Sequence, residues 1–267
     1  MKSLLFGPAR QEQIETVIHL ATHRSTYQQA RSHQLNVDTV RQMLDLLEQH
    51  PSIRHLVYKS WGEIYQIRGN LPTIINESHP INMSRHSSRW VRDRVEADLT
   101  LCSRMNLSNL TITILRCSEC LAPGCGSQLF HYLQSSLCLV PLGFDPMINV
   151  LSLEDLTTVL TLASQTNKAG VFNIPGKDSL PLTVIIHNIG RQGVPLPGPG
   201  IRLIDDVKRR LFRPEYSYFI NQNRFHFGFI MSGQRARDKL GYRPQHGIDW
   251  NRLRRQLKFS QPDLIHS

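Results

Sequence analysis

The sequence predicts an α/β protein: a parallel sheet flanked by helices, then a small α+β lobe from about Pro175. Three observations predict it. Short β-branched apolar runs recur at Thr16–Ala21, Ile53–Tyr58 and Leu110–Leu115. Segments of helical periodicity separate them, and the order strand, helix, strand, helix, strand calls for parallel pairing through right-handed crossovers. The chain has 267 residues and is 40% hydrophobic, enough for one large domain or a domain with a cap.

Thr16–Ala21 is brief and β-branched and reads as a buried strand. A Gln- and His-rich loop follows. Asn36-Val37 then leads into Val40, Met43, Leu44 and Leu47, a helical stripe that ends before Pro51. Ile53–Tyr58 is a second strand and runs into Lys59-Ser60-Trp61-Gly62. Residues 69–88, with Pro72 and Pro80, read as a polar loop. The next helix opens at Ser88: Val91, Val95 and Leu99 form one stripe, and Asp93, Glu96 and Asp98 lie off it. Trp90 and Arg94 share a face one turn apart. Leu110–Leu115 is a third strand.

Residues 117–126 are turn-rich, and Gln128–Leu133 reads as helical. Ile148–Leu151 is another strand, and Ser152 with Asp155 opens a helix through Leu162. Gly170–Ile174 is a strand that turns at Pro175-Gly176. Pro195, Pro197 and Pro199 rule out regular structure ahead of a basic helix at Ile201–Phe212. Arg235–Leu240 is a short helix with Gly241 at its C-cap.

The formal net charge is +10, spread over several segments, and points to phosphate, either on nucleic acid or on a phosphorylated ligand. No helix-turn-helix, zinc-finger or RNA-recognition signature accompanies it. No run is long and apolar enough to span a bilayer, and Met1–Arg10 lacks the apolar core of a signal peptide, so a cytoplasmic location is expected. Five cysteines do not make a secreted disulfide framework.

Several segments, taken in order, resemble the NAD-dependent epimerase/dehydratase family, the extended short-chain dehydrogenases. Val17-Ile18-His19-Leu20-Ala21 resembles the family's fourth-strand V-I-H-L-A, and Asn36 stands where the following helix begins with Asn. Leu56–Tyr65 resembles the hydrophobic–Ser–Ser–x–x–Val–Tyr–Gly segment, and Thr113-Ile114-Leu115-Arg116 resembles x-I-L-R. Pro123-Gly124, Leu153-Glu154-Asp155 and Gly170–Ile174 resemble G-P-G, V-x-D and G-x-Y-N-V; Arg237–Pro244 resembles K-x-x-x-L-G-(aromatic)-x-P. Trp90 and Arg94 stand where the family carries its Tyr-x-x-x-Lys pair.

The resemblance implies a Rossmann-like NAD(P)-binding domain at residues 1–174 and a substrate lobe at 175–267. It implies NAD or NADP as cofactor and a nucleotide sugar or related phosphorylated metabolite as ligand. The catalytic positions fall on Trp90, Arg94, Ser60 and Trp61, the seats of the family's Tyr, Lys and Ser/Thr. Leu20, Ala21, Thr22, Arg94 and Cys117 fall on cofactor positions, Ser118 and Glu119 on substrate positions. The glycine-rich turn that cradles the pyrophosphate precedes the fourth strand in the family, and Gly7-Pro8-Ala9 cannot supply it. The sequence therefore reads as one whose first strands are missing, through an incomplete start or as a true short form. The strand Val17–Ala21 is then left with an unpaired edge for a second copy or another partner to cover.

The substitutions bear on chemistry. An indole N–H donates but exchanges no proton at a useful pKa, and a guanidinium keeps the ammonium's charge with different donor geometry. Tyrosine-driven hydride transfer by the usual route is not expected. Glu63 and Glu119 are the acids near the old pocket. Cys117, Cys120 and Cys125, with His131, admit either a zinc site or simple packing behind the strand end; no second C-x-x-C supports zinc, and no metal is expected. Tyr216–Phe219 and Phe225–Phe229, around Arg224, read either as a strand-like cap on the lobe or as a platform for bases. The rival functional class is a non-catalytic basic binding or scaffold protein for RNA or another anion.

Overall fold

The computed structural model describes residues 1–21, 33–85, 87–212 and 218–259. Its centre is a four-stranded parallel sheet with helices on both faces. A helical turn at Lys2–Leu4 and a π-helical turn at Leu5–Ala9 lead to strand β1 (Thr16–His19). Helix α1 (Thr39–Glu48) follows a π-turn at Gln34–Asp38 and buries Val40, Met43, Leu44 and Leu47, the stripe read from the sequence. Strand β2 (His55–Trp61) has all seven residues buried, as a strand covered on both faces must. It runs three residues past the sequence reading because Lys59 and Ser60 find polar partners inside.

The segment read as loop contains a two-residue strand, β3 (Ile74–Ile75). Helix α2 (Arg89–Arg104) starts where the Ser88 hydroxyl accepts the Val91 N–H at 3.3 Å. Val91 and Val95 are buried, but so are Asp93 and Asp98, off the apolar stripe. Asp98 is fully inaccessible because Arg116 and Ser60 neutralise and bond it, and Asp93 is held by His33 at 2.9 Å. Strands β4 (Thr111–Cys117) and β5 (Glu119–Cys120), helix α3 (Gln128–Leu133) and strands β6 (Leu137–Pro141) and β7 (Met147–Leu151) come next. Helix α4 (Leu153–Thr166) is capped by Ser152, whose Oγ accepts the Asp155 N–H at 3.1 Å. Strand β8 (Gly170–Ile174) completes the main sheet in the order β1-β2-β4-β8. Helices α1 and α2 cover one face, α4 the other. Strand β1 lies at the sheet edge, with Ile18 42% exposed.

The remainder contains β9 (Asp178–Pro181), α5 (Leu182–Asn188), β10 (Gln192–Leu196), α6 (Gly198–Phe212), α7 (Tyr218–Phe227), β11 (Ile230–Met231), α8 (Gln234–Leu240) and α9 (Trp250–Phe259). Strand β10 contradicts the expectation that the prolines exclude regular structure. It pairs with β6 in a two-stranded sheet, where Pro195 occupies an edge strand and can spare its N–H. Pro199 sits in the first turn of α6, where a missing N–H costs nothing. Of the stretch read as strand-like, Phe225–Phe227 instead end α7, where Tyr218 and Phe225, seven apart, turn the same side into the lobe core, and Phe229 makes an isolated parallel bridge to Ile148. Tyr216 lies outside the described residues.

The lobe core joins Leu129, Phe130, Leu133, Val140 and Ile148 to Leu182, Ile186, Leu253 and Leu257. Residues well before Pro175 thus belong to it, while Ala236 and Leu240 of α8 return to pack on Phe172 and Ile174 of the main sheet. The two bodies interleave along the chain. They cross at Gly176, where a Cβ would come within 1.7 Å of the Val150 carbonyl oxygen. Asn149 clasps Gly176 there, accepting its N–H at 3.0 Å and donating to its carbonyl at 3.1 Å.

Candidate functional site

At the carboxyl ends of β2 and β4, helix α2 brings Trp90 and Arg94 against Trp61, all three buried. The Arg94 guanidinium lies 4.2 Å from the centre of the Trp61 ring and 4.0 Å from that of Trp90, a cation between two indoles. It is ion-paired with Glu63 and donates from Nη2 to the Gly126 carbonyl at 3.3 Å. Burial pulls its pKa down, the Glu119 and Tyr58 charges oppose this, and the net value is about 9. It stays cationic at neutral pH.

A second arginine closes the cluster from the lobe side. Arg224 on α7 pairs with Glu119 and lies 3.5 Å from Glu63. Glu119 also accepts from Ser127 Oγ at 2.5 Å. Burial pushes the Glu119 carboxyl up, but the Arg224 charge, the Ser127 and Arg224 hydrogen bonds and the Arg94 charge outweigh it, leaving it below its ordinary value. Lys59 is buried beside the cluster, 4.4 Å over the Trp61 ring, and burial lowers its pKa. The space bounded by Lys59, Trp61, Glu63, Cys117, Glu119 and Arg224 amounts to about 10 Å³, no more than one water needs.

Ser60 does not join this group. Its hydroxyl donates to Asp98 at 2.6 Å, and Asp98 accepts from Arg116 at 2.6 and 3.2 Å. Arg116 continues to the Tyr65 hydroxyl at 3.0 Å, which donates to Asn173 at 2.6 Å. Burial raises the Tyr65 pKa to about 12, with Arg116 opposing. Ser60 is thus one end of a buried chain of hydrogen bonds beneath α2.

Of the positions assigned to a cofactor, Arg94 and Cys117 border the cluster. Leu20 is 50% exposed beyond the end of β1 with Ala21 beside it, and Thr22 lies outside the described residues. Cys117 is buried, its Sγ 3.5 Å from the Leu115 carbonyl, and burial pushes its thiol up to about 11. Ser118 is buried beside Glu119. Among the described residues no three His, Cys, Asp or Glu side chains form a group that could hold a metal. Tyr218 and Phe225 are core residues, so they offer no stacking platform. Sequence reasoning noted Arg224 only as a neighbour of aromatics; its partner Glu119 is 105 residues away, and no local pattern marks the pair.

On the other side of Glu63 lies a cavity of about 240 Å³, between the segments around Tyr65, Asn82 and Asn223. No helix among the described residues is long and apolar enough to cross a membrane.

No family model matches the chain. Uncharacterized proteins of Mycobacterium tuberculosis and Mycobacterium bovis are 28% identical over 248 residues, which cover 88% of this chain and 63% of theirs. The chain therefore spans less than two thirds of the length of these curated relatives. Among solved structures, UDP-glucose 4-epimerase of Stenotrophomonas maltophila, with NAD and formylated UDP-arabinopyranose, superposes with a TM-score of 0.70 at 13% identity, over 97% of this chain and 79% of that one. The dTDP-glucose 4,6-dehydratase of Bacillus anthracis, in complex with NAD, gives 0.67 at 14% identity, over 97% and 76%. The chain has the Rossmann-like α/β fold of these enzymes.

Proposed function

We propose that the chain is an extended short-chain dehydrogenase of the NAD-dependent epimerase/dehydratase type that binds a nucleotide sugar or related phosphorylated metabolite without tyrosine-driven hydride transfer. One observation supports the reading: the Arg94 guanidinium, at the position that by resemblance is the family's Lys, lies between Trp61 and Trp90 and is paired with Glu63. The space among Lys59, Trp61, Glu63, Cys117, Glu119 and Arg224 is about 10 Å³, less than a nicotinamide ring fills.

The neighbouring groups agree. Trp90 offers only an indole N–H, which cannot return a proton. Arg94 is a permanent cation at neutral pH, already spent on Glu63 and the Gly126 carbonyl. Ser60 gives its hydroxyl to Asp98 and has none for a substrate oxygen. These residues hold the strand ends closed.

The test incubates the purified chain with NAD or NADP and UDP-glucose or dTDP-glucose. Absorbance follows reduced cofactor, chromatography follows epimer, and a thermal shift follows binding. The expected result is a ligand-dependent shift with no reduced cofactor and no epimer. Turnover that Arg94→Ala abolishes would overturn the reading. Salt-sensitive retention on RNA or heparin, with no shift from any small ligand, would replace it with the basic binding protein.

A further inference from the structure

The 240 Å³ cavity has a size, a lining and a charge that narrow its ligand. Its walls come from three stretches: Gln66–Arg68 after β2, Asn82, Ser84, Ser87 and Ser88 ahead of α2, and Gln222–Arg224 on α7. At about 30 Å³ per water it holds on the order of eight waters. That is room for one sugar ring with its substituents.

The lining is rich in hydrogen-bonding groups set for hydroxyls. Asn82 Oδ1 accepts from Ser84 N–H at 3.3 Å and Ser87 Oγ at 2.8 Å, which fixes the amide with Nδ2 as the end left to donate. Glu63 forms part of the floor with an acceptor carboxylate.

The charges settle the sign of the ligand. Arg94 and Arg224 are offset by Glu63 and Glu119, to which they are ion-paired. Arg68 is the cation left over: it is exposed, and no carboxylate of the described residues pairs with it. With the Gln66 amide turned so that its oxygen faces Arg68, it accepts from Nε at 2.9 Å and Nη2 at 2.8 Å, bracing a planar fork at the cavity wall. With that edge taken by Gln66, the Nη1–Nη2 edge is left to meet a phosphate or carboxylate in bidentate fashion. Ser88, the cap of α2, is also in the wall, so the positive end of that helix adds to the same field.

We propose that this cavity binds a monosaccharide bearing one anionic group, a sugar phosphate or a sugar acid, with Arg68 on the anion and Asn82 and Glu63 on ring hydroxyls. The inference rests on the reading above, that the chain binds a metabolite of this kind without turning it over, and specifies a ligand that carries no nucleotide.

Calorimetric titration tests it with glucose 1-phosphate, glucuronate, glucose and UDP-glucose. Binding of either anion is expected, with glucose at least tenfold weaker. Arg68→Gln should weaken the bound anion at least tenfold, and Arg68→Lys should recover part of the loss. Neither should move the thermal midpoint of the ligand-free chain, because Arg68 packs into no core. UDP-glucose bound more tightly than glucose 1-phosphate, and equally by Arg68→Gln, would overturn the inference and leave the broader reading standing. No heat from either anion would also overturn it. Reduction of NAD in the presence of any of these sugars would overturn the broader reading, and the inference with it.

Discussion

Two buried charged systems sit one helical turn apart on α2, and they are built to different standards. Beneath the helix, Asp98 accepts from Ser60, Cys102 and both ends of the Arg116 fork, and the chain runs on through Tyr65 to Asn173 and the Ile75 carbonyl. Each of these side chains finds partners. At the strand ends, around Arg94, the indole N–H groups of Trp61 and Trp90 and the Nε of Arg94 and Arg224 are buried without an acceptor among the described residues. A satisfied network fixes one arrangement of strands and helix, whereas a half-satisfied one is dear to keep and earns no rigidity in return. The comparison separates scaffold from candidate site: the first system holds α2 to the sheet, and the second is the cluster on which the proposed function rests.

The largest expected effect breaks the satisfied system. Asp98→Ala strands the Arg116 charge in the interior and should cost about 3–5 kcal/mol, read as a lowered denaturant midpoint. Arg94→Met should cost less, about 2 kcal/mol, because Arg224 remains beside Glu63 and the thioether fills part of the gap. Its second signature is optical: Trp61 and Trp90 lose the cation between them, so their fluorescence should change at unaltered far-ultraviolet circular dichroism. A loss as large as that of Asp98→Ala would erase the distinction between the two systems.

Glu119 sharpens the comparison through pH. Its carboxyl is held below the ordinary value in the folded chain, so its contribution is present above the unfolded pKa of about 4.3. That contribution is lost as pH falls through the folded value. Glu119→Gln should cost about 2 kcal/mol at neutral pH, where a charge-assisted bond to Arg224 is removed, and should flatten the acid limb of the stability profile. Thermal midpoints measured from pH 7 down to pH 3 check both parts. The smallest effect tests only the helix: Ser88→Ala removes the cap on Val91 and should cost about 1 kcal/mol, with the Arg94 cluster unchanged.

Much of the scaffold was legible because its signals are local. The β-branched runs mark β2, β4 and β8, and the bounds Gln128–Leu133 and Gly170–Ile174 coincide with those observed. The errors arise where partners are remote. Asp98 lies off the apolar stripe of its own helix, and its burial is explained by Arg116 and Ser60, on strands remote in sequence. Pro195 forbids a central strand, and the sequence does not reveal that β10 lies at an edge. Alternating aromatics at Phe225, Phe227 and Phe229 imitate a strand, although the spacing of Tyr218 and Phe225 is helical. The one-turn spacing of Trp90 and Arg94 on α2 was legible, but the stacking of one guanidinium on both Trp90 and Trp61 needs the fold to close first.

The crossing at Gly176 has a mechanical consequence. Two backbones touch there with no side chain between them, and Asn149 grips the passing peptide at both its polar ends. The lobe cannot slide over the sheet at that contact. A methyl at Gly176 would meet the Val150 carbonyl, so Gly176→Ala must part the two backbones at their point of contact.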